Sequence, residues 1–245
     1  MPRIVLTLLL PPLLAIYVIV VFLFLDVDES YAQYALLVPV CYILGSIPWG
    51  FLITMAVKGL DIREFGSGMV GTSNVLRTAG GRYALVSLAL DASKGMLAVA
   101  LARMVGDTPM VLVVAGLAAQ AGHNWSVFLN FRGGRGIATG IGGLLVIEPI
   151  SGTIAIACFT QVTFLTRYLS LGSIASLFGA FLSMLGLVLL LDSPATYLWY
   201  PSIGGIVIMW LHKDNIQRLL RGTERRLGQP AERIAEAESA GQKGS

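Results

Sequence analysis

The sequence predicts an all-α integral membrane protein, a compact polytopic helix bundle. Three observations carry that prediction. Hydrophobic residues make up 56% of the 245 and charged residues only 13%, whereas a soluble domain covers itself with about 25% charged residues. Mean hydropathy is +0.77. Apolar segments near the ~20 residues needed to cross a bilayer follow one another along the chain.

Eight such segments can be read. The first, 4–25, has only Arg3 ahead of it and lacks a small-residue cleavage site before Asp26, so it reads as a span rather than a signal peptide. Segments 32–57, 83–105 and 109–131 have full spanning length. Segments 136–149 and 150–166 are short and parted only by Glu148 and Pro149, as half-length or strongly tilted helices would be. Segments 171–191 and 195–211 complete the set, and 212–245 form a polar, basic tail expected to fray from Gln229 onward.

Basic residues set the orientation. If the chain crosses at every segment with its N-terminus in the cytoplasm, one side receives Arg3, Lys58, Arg63, Arg77, Arg82, Arg132, Arg135, Arg167 and the seven of the tail, fifteen of the 17. Lys94 and Arg103 lie inside the third segment, and the opposite loops carry only acids: Asp26, Asp28, Glu29, Asp107, Glu148 and Asp192. Both termini are therefore expected in the cytoplasm. The outer connections are too short and plain for a site, so the chemistry is expected at the cytoplasmic face.

A net charge of +3 without basic–aromatic interleaving argues against nucleic acid. Cys41 and Cys158 sit in apolar runs, and two histidines with two distant cysteines make no zinc pattern.

Four clusters carry candidate chemistry. In GSGMVGTSNVLRTAGG (66–81), Gly66, Gly68 and Gly71 let backbone N–H groups converge, while Ser67, Thr72, Ser73 and Asn74 add donors and Arg77 adds charge. That is the make-up of an anion nest, or of a flexible loop; no Walker A lysine follows. In GHNWSVFLNFRGGRGIATG (122–140), Arg132, Gly133, Gly134, Arg135 and Gly136 lead into a helix, an arrangement that favours anions, although positive-inside anchoring explains one arginine. His123 lies upstream within the preceding segment. In RYLSLGS (167–173), Ser170 and Ser173 read most simply as N-caps. In HKDNIQRLLRGTERRLG (212–228), His212 and Asn215 share a helix face, while the arginines suit lipid headgroups. Asp91 and Lys94, three apart within a span, form either a structural clamp or part of the site, with the clamp favoured. No hydrolase elbow, no His-x4-Asp pair and no aspartate cluster for metal-dependent phosphatidyl transfer is present.

These clusters, with GSIPWGFLI (45–53), DIREFGSGMVGTSNVLRTAGG (61–81), DASKG (91–95) and HKDNIQRLLRGTE (212–224), resemble the acyl-phosphate:glycerol-3-phosphate acyltransferases of the PlsY type. The resemblance implies a seven-span core over 32–228, an extra N-terminal transmembrane helix within 1–31, and a tail over 229–245. It implies acyl transfer from acyl phosphate to the sn-1 hydroxyl of glycerol 3-phosphate, giving lysophosphatidic acid and phosphate, with no cofactor or metal. A monomer in the bacterial plasma membrane, among membrane lipids and without nucleic acid, is expected.

By position, Ser67, Gly68, Gly71, Ser73, Asn74 and Arg77 belong to the phosphate loop, and Arg132 or Arg135 stands where the family has a phosphate-binding lysine. Ser170 or Ser173, His212 and Asn215 complete the glycerol 3-phosphate pocket, His123 lines the site, and Glu224 is structural, bracing the tail. Met69 replaces the usual Asn, Ser73 the usual Thr, and Trp125-Ser126 an aromatic–proline pair, which marks a diverged member. The base would be a histidine or a substrate phosphate. Rival readings are a small polytopic transporter, which would place polar groups near the midplane, and a non-catalytic lipid-phosphate-binding protein.

Overall fold

A computed structural model describes residues 29–106 and 108–234. The first expected span, 4–25, lies outside the described residues. Among the described residues the secondary structure is helical, apart from one isolated bridge between Phe65 and Arg233.

Helix α1 (Glu29–Ser46) stops before Pro48, which lacks the N–H a continuing helix would use, and α2 (Trp49–Lys58) resumes beyond it until Gly59 turns left-handed. A loop with a 3-10 turn at Ile62–Glu64 leads to the short α3 (Thr72–Thr78), and then to α4 (Gly81–Val105). Helix α5 (Pro109–Asn124) starts with proline at its first turn, where no N–H is missed. Then come α6 (Ile137–Ile147), α7 (Pro149–Thr166), α8 (Leu169–Leu190), α9 (Trp199–Leu211) and α10 (Lys213–Leu220).

Among the described residues five helical stretches are long and apolar enough to cross a membrane: Gln33–Lys58, Gly81–Val105, Pro109–Leu129, Pro149–Thr166 and Leu169–Leu190. Two shorter apolar helices, Ile137–Ile147 and Ala195–Leu211, occupy the other expected places. At 11 residues α6 is about 16 Å long, half a bilayer core.

Small residues let the helices touch. A side chain on Gly95 of α4 would run into the Thr139 carbonyl of α6, and one on Gly122 of α5 into the Tyr42 carbonyl of α1. Buried Tyr200 donates to the Gly140 carbonyl at 2.9 Å and Gln120 to the Gly204 carbonyl at 3.0 Å, tying α9 to α6 and α5. Large apolar side chains such as Phe164 and Leu190 point outward, as lipid contact requires.

Three local expectations are corrected. The 109–131 segment does not stay helical to its end: Asn130 and Phe131 adopt positive φ, which turns the chain before Arg132. Ser170 and Ser173 are not caps, because Tyr168 precedes α8 and both serines lie within the helix. Of the tail expected to fray from Gln229 onward, 235–245 lie outside the described residues, while 229–234 pack along residues 64–77: the Gly66 N–H donates to the Glu232 carbonyl at 2.9 Å, and the Ala231 N–H to the Arg77 carbonyl at 3.2 Å.

Candidate active site

The first glycine loop is built differently from a nest. Gly66 and Gly68 take positive φ, which a side chain would resist. Their N–H groups are already used, by Glu232 and by the Phe65 carbonyl at 3.0 Å. Asn74 is fully buried and its Nδ2 faces the carbonyls of Ile62 (3.2 Å), Phe65 (2.9 Å) and Met69 (2.9 Å). Its amide holds the loop together. The loop thereby presents Gly71, Thr72, Ser73 and Arg77 to a cavity of about 370 Å³, whereas Ser67, Gly68 and Asn74 do not line it.

The second loop is fastened to α5. The Gly133 N–H donates to the Asn124 carbonyl (3.1 Å) and the Gly134 N–H to the His123 carbonyl (3.0 Å). A side chain on Gly134 would strike the His123 ring. These two glycines serve close packing, and Gly136 at φ +82° turns the chain into α6. Arg135, Gly136 and the first residues of α6 line the cavity. Exposed Arg132 belongs to a separate depression with Gly68, Asp61 and Arg63. That separates the two arginines that the sequence left as alternatives.

At the deep end, Asp91 pairs with Lys94 (2.9 Å) and lies 3.5 Å from Nδ1 of His123, all three buried. Lys94 also donates to the Ile47 carbonyl at 2.9 Å. The pair is thus a clamp that also reaches the site, since Asp91 and His123 line the cavity.

Near the end of α9, His212 is buried with Nδ1 at 2.9 Å from the Ile208 carbonyl. A carbonyl only accepts, so Nδ1 carries the proton and Nε2 is the acceptor. Burial, with Arg135 nearby, pushes the imidazole down to about 4. Asn215 donates to Oε1 of Glu224 at 2.9 Å, and Arg218 donates to Oε2 at 2.8 Å. Glu224 therefore orients Asn215 and leaves its buried Oδ1 without a protein partner.

Several cavity-lining atoms share that condition. Nε of Arg77, Nε of Arg135, Oγ1 of Thr72 and Oγ of Ser170 are buried and unpartnered. Ser173, by contrast, donates to the Leu169 carbonyl at 2.9 Å. Burial pushes Arg135 down to about 10, with Arg218 and Arg77 adding repulsion, and Arg77 is lowered by burial and by Arg225. Both remain cations at neutral pH, facing an apolar wall of Leu76, Ala84, Leu85, Leu88 and Phe159. Sequence reasoning missed that wall, because leucines of an apolar helix carry no mark separating cavity from lipid. Among the described residues no group of three or more His, Cys, Asp or Glu could hold a metal ion.

A cavity with fixed cations at one side and apolar walls at the other suits phosphate-bearing lipids, and known proteins agree. Residues 35–222 match the family model described as glycerol-3-phosphate acyltransferase. Glycerol-3-phosphate acyltransferase 3 of Dehalococcoides mccartyi strain CBDB1 is 44% identical over 212 residues, covering 82% of this chain and 98% of its own. The Rubrobacter xylanophilus enzyme is 42% identical over 194 residues, covering 79% and 94%. Two crystal structures of PlsY, an integral membrane glycerol 3-phosphate acyltransferase, are 36% identical and cover 78% of this chain and 94% of theirs. The glycerol 3-phosphate form superposes with a TM-score of 0.72 and the lysophosphatidic acid form with 0.70. This multi-pass bacterial membrane protein belongs to the glycerol-3-phosphate acyltransferase family.

Proposed function

We propose that the chain moves a fatty acyl group from acyl phosphate to the sn-1 hydroxyl of glycerol 3-phosphate, giving lysophosphatidic acid and inorganic phosphate. The observation that carries the reading is the cavity, where two guanidiniums with unpartnered Nε atoms meet an apolar wall. That combination suits an acceptor and a leaving group that are both phosphates, with a donor that carries a lipid tail. The site opens to the cytoplasm on the distribution of basic residues. The family resemblance supports a seven-span core over 32–228, taken to work as a monomer, and the distribution of basic residues supports both termini inside.

Acyl phosphate is a mixed anhydride, so no covalent nucleophile is required. The glycerol hydroxyl oxygen attacks the carbonyl carbon, the bond from that carbon to the phosphate oxygen breaks, and phosphate leaves with the electron pair. Arg77 and Arg135 hold phosphate charge, and the rate comes from positioning and charge stabilisation. Asn215 and Ser170 offer free oxygens to glycerol hydroxyls, and Ser73 completes the rim. His212 accepts a hydrogen bond at Nε2, but an imidazole at about 4 is a weak proton acceptor. A substrate phosphate, with a second pKa near 6, takes the proton instead. His123 is held between Asp91 and Gly134 and positions the Arg135 loop. Ser67, Gly68, Asn74, Arg132, Gly133 and Gly134 shape or flank the site.

The test uses purified protein, labelled glycerol 3-phosphate and chelator, with palmitoyl phosphate in one tube and palmitoyl-CoA in another. Lysophosphatidic acid from the acyl-phosphate tube alone is expected. Product from the CoA tube, or from neither, would overturn the reading.

A further inference from the structure

The reaction leaves residues 225–234 without a task, and they lie beyond the residues that the family model matches. Their course is nevertheless specific. The Leu227 N–H donates to the Arg167 carbonyl at 2.7 Å, and Arg226 lies over the Tyr168 ring, donating to its hydroxyl at 3.2 Å. Further on, the Ala231 N–H donates to the Arg77 carbonyl, the Gly66 N–H to the Glu232 carbonyl, and Phe65 and Arg233 form a bridge. Between them, Arg225 donates to the Gly66 carbonyl at 3.3 Å while its own carbonyl accepts from the Arg77 guanidinium at 3.4 Å.

One segment therefore crosses two connections that deliver cavity residues, one leading into Ser170 and the other carrying Arg77. The second connection needs such help, because a loop with glycines at 66, 68 and 71 loses much conformational freedom on being fixed. Three of the crossing hydrogen bonds join main chain to main chain, and no side-chain pattern advertises those. We infer that residues 225–234 are a strap that fixes the Arg77 loop for phosphate, with Arg225 and Ala231 as positioning residues.

This rests on the proposed acyl transfer, so the experiment carries two readouts. The variants, in the otherwise full chain, are Ala231→Pro, which removes the N–H donated to Arg77, and Arg233→Ala, which breaks only the exposed pair with Glu64. A chain ended after Gly228 is the third. Amide hydrogen exchange over 64–78 should quicken in the first and third and stay unchanged in Arg233→Ala. The KM for one or both phosphate substrates should rise roughly two- to tenfold in Ala231→Pro, the loss of about one hydrogen bond, with kcat within about twofold. Unchanged loop exchange in the shortened chain overturns the strap, as does a fall in kcat at constant KM. If the parent chain forms no lysophosphatidic acid, the acyl-transfer reading fails by itself and the exchange measurement alone decides the strap.

Discussion

Arg132 and Arg135 are two residues of the same type three positions apart, and they lie in different surroundings. Nε of Arg135 is buried without a protein partner beside the cavity, so a bound phosphate oxygen would complete it. Arg132 is exposed in a different depression. Replacing Arg135 by alanine removes a charge-assisted hydrogen bond of about 1.5–3 kcal/mol, which corresponds to roughly a 10- to 150-fold loss in kcat/KM. Arg132→Ala changes a surface residue and should stay within about 0.5 kcal/mol, or roughly twofold. The assay is initial-rate formation of lysophosphatidic acid from palmitoyl phosphate, with thermal melting in detergent to show that both variants are folded. Equal losses in the two variants, or a larger loss in Arg132→Ala, would refute the assignment of Arg135 to the phosphate.

Two further outcomes follow from buried groups. Asn74→Ala takes a donor from three carbonyls of the loop, of which those of Ile62 and Phe65 keep the Phe65 and Gly68 N–H groups, and should destabilise the protein by about 1–3 kcal/mol; an unchanged melting temperature would show that the loop does not depend on it. His212 is kept neutral by burial, with its pKa about 4 against an ordinary 6.5. Its contribution to stability, on the order of 3 kcal/mol, is whole above pH 6.5 and lost as pH falls toward 4. Melting profiles of the parent and His212→Asn between pH 7 and 4 should therefore converge at the acid end, and parallel profiles would contradict the buried neutral imidazole.

Much of this was legible in the sequence, for reasons that individual residues make clear. The apolar runs mark helices because a bilayer leaves few other choices, and Pro48, Pro109 and Pro149 mark where helices break or begin. Arg77, Arg135, His212 and Asn215 stood out as rare polar residues near span ends, and the cavity gathers all four. What stayed hidden depends on which partner each polar group takes. Gly68 and Asn74 look like donors to an anion, yet the Gly68 N–H binds Phe65 and Asn74 binds its own loop. Glycines 133 and 134 look like a phosphate cradle, but their amides are consumed by α5. The 229–234 segment reads as a polar tail because its attachments at Ala231 and Glu232 are main-chain groups, to which composition is blind.

An arginine at position 135 suits its surroundings. Burial and two neighbouring guanidiniums bring Arg135 from 12.5 down to about 10, so it keeps its charge throughout the physiological range. A lysine starts lower, near 10.4, and the same desolvation and repulsion would carry it to about 8. Arg135→Lys should then work near pH 6.5, where the ammonium is charged, and lose activity as pH rises past about 8, while the parent enzyme holds its activity there. Rate profiles of the two proteins between pH 6 and 9 give the answer. If the lysine variant follows the parent up to pH 9, the cavity is wetter than its buried, unpartnered Nε implies, and the charge at this position does not depend on arginine. If the profiles part near pH 8, arginine is what keeps a cation in a pocket that Arg77 lines and Arg218 neighbours.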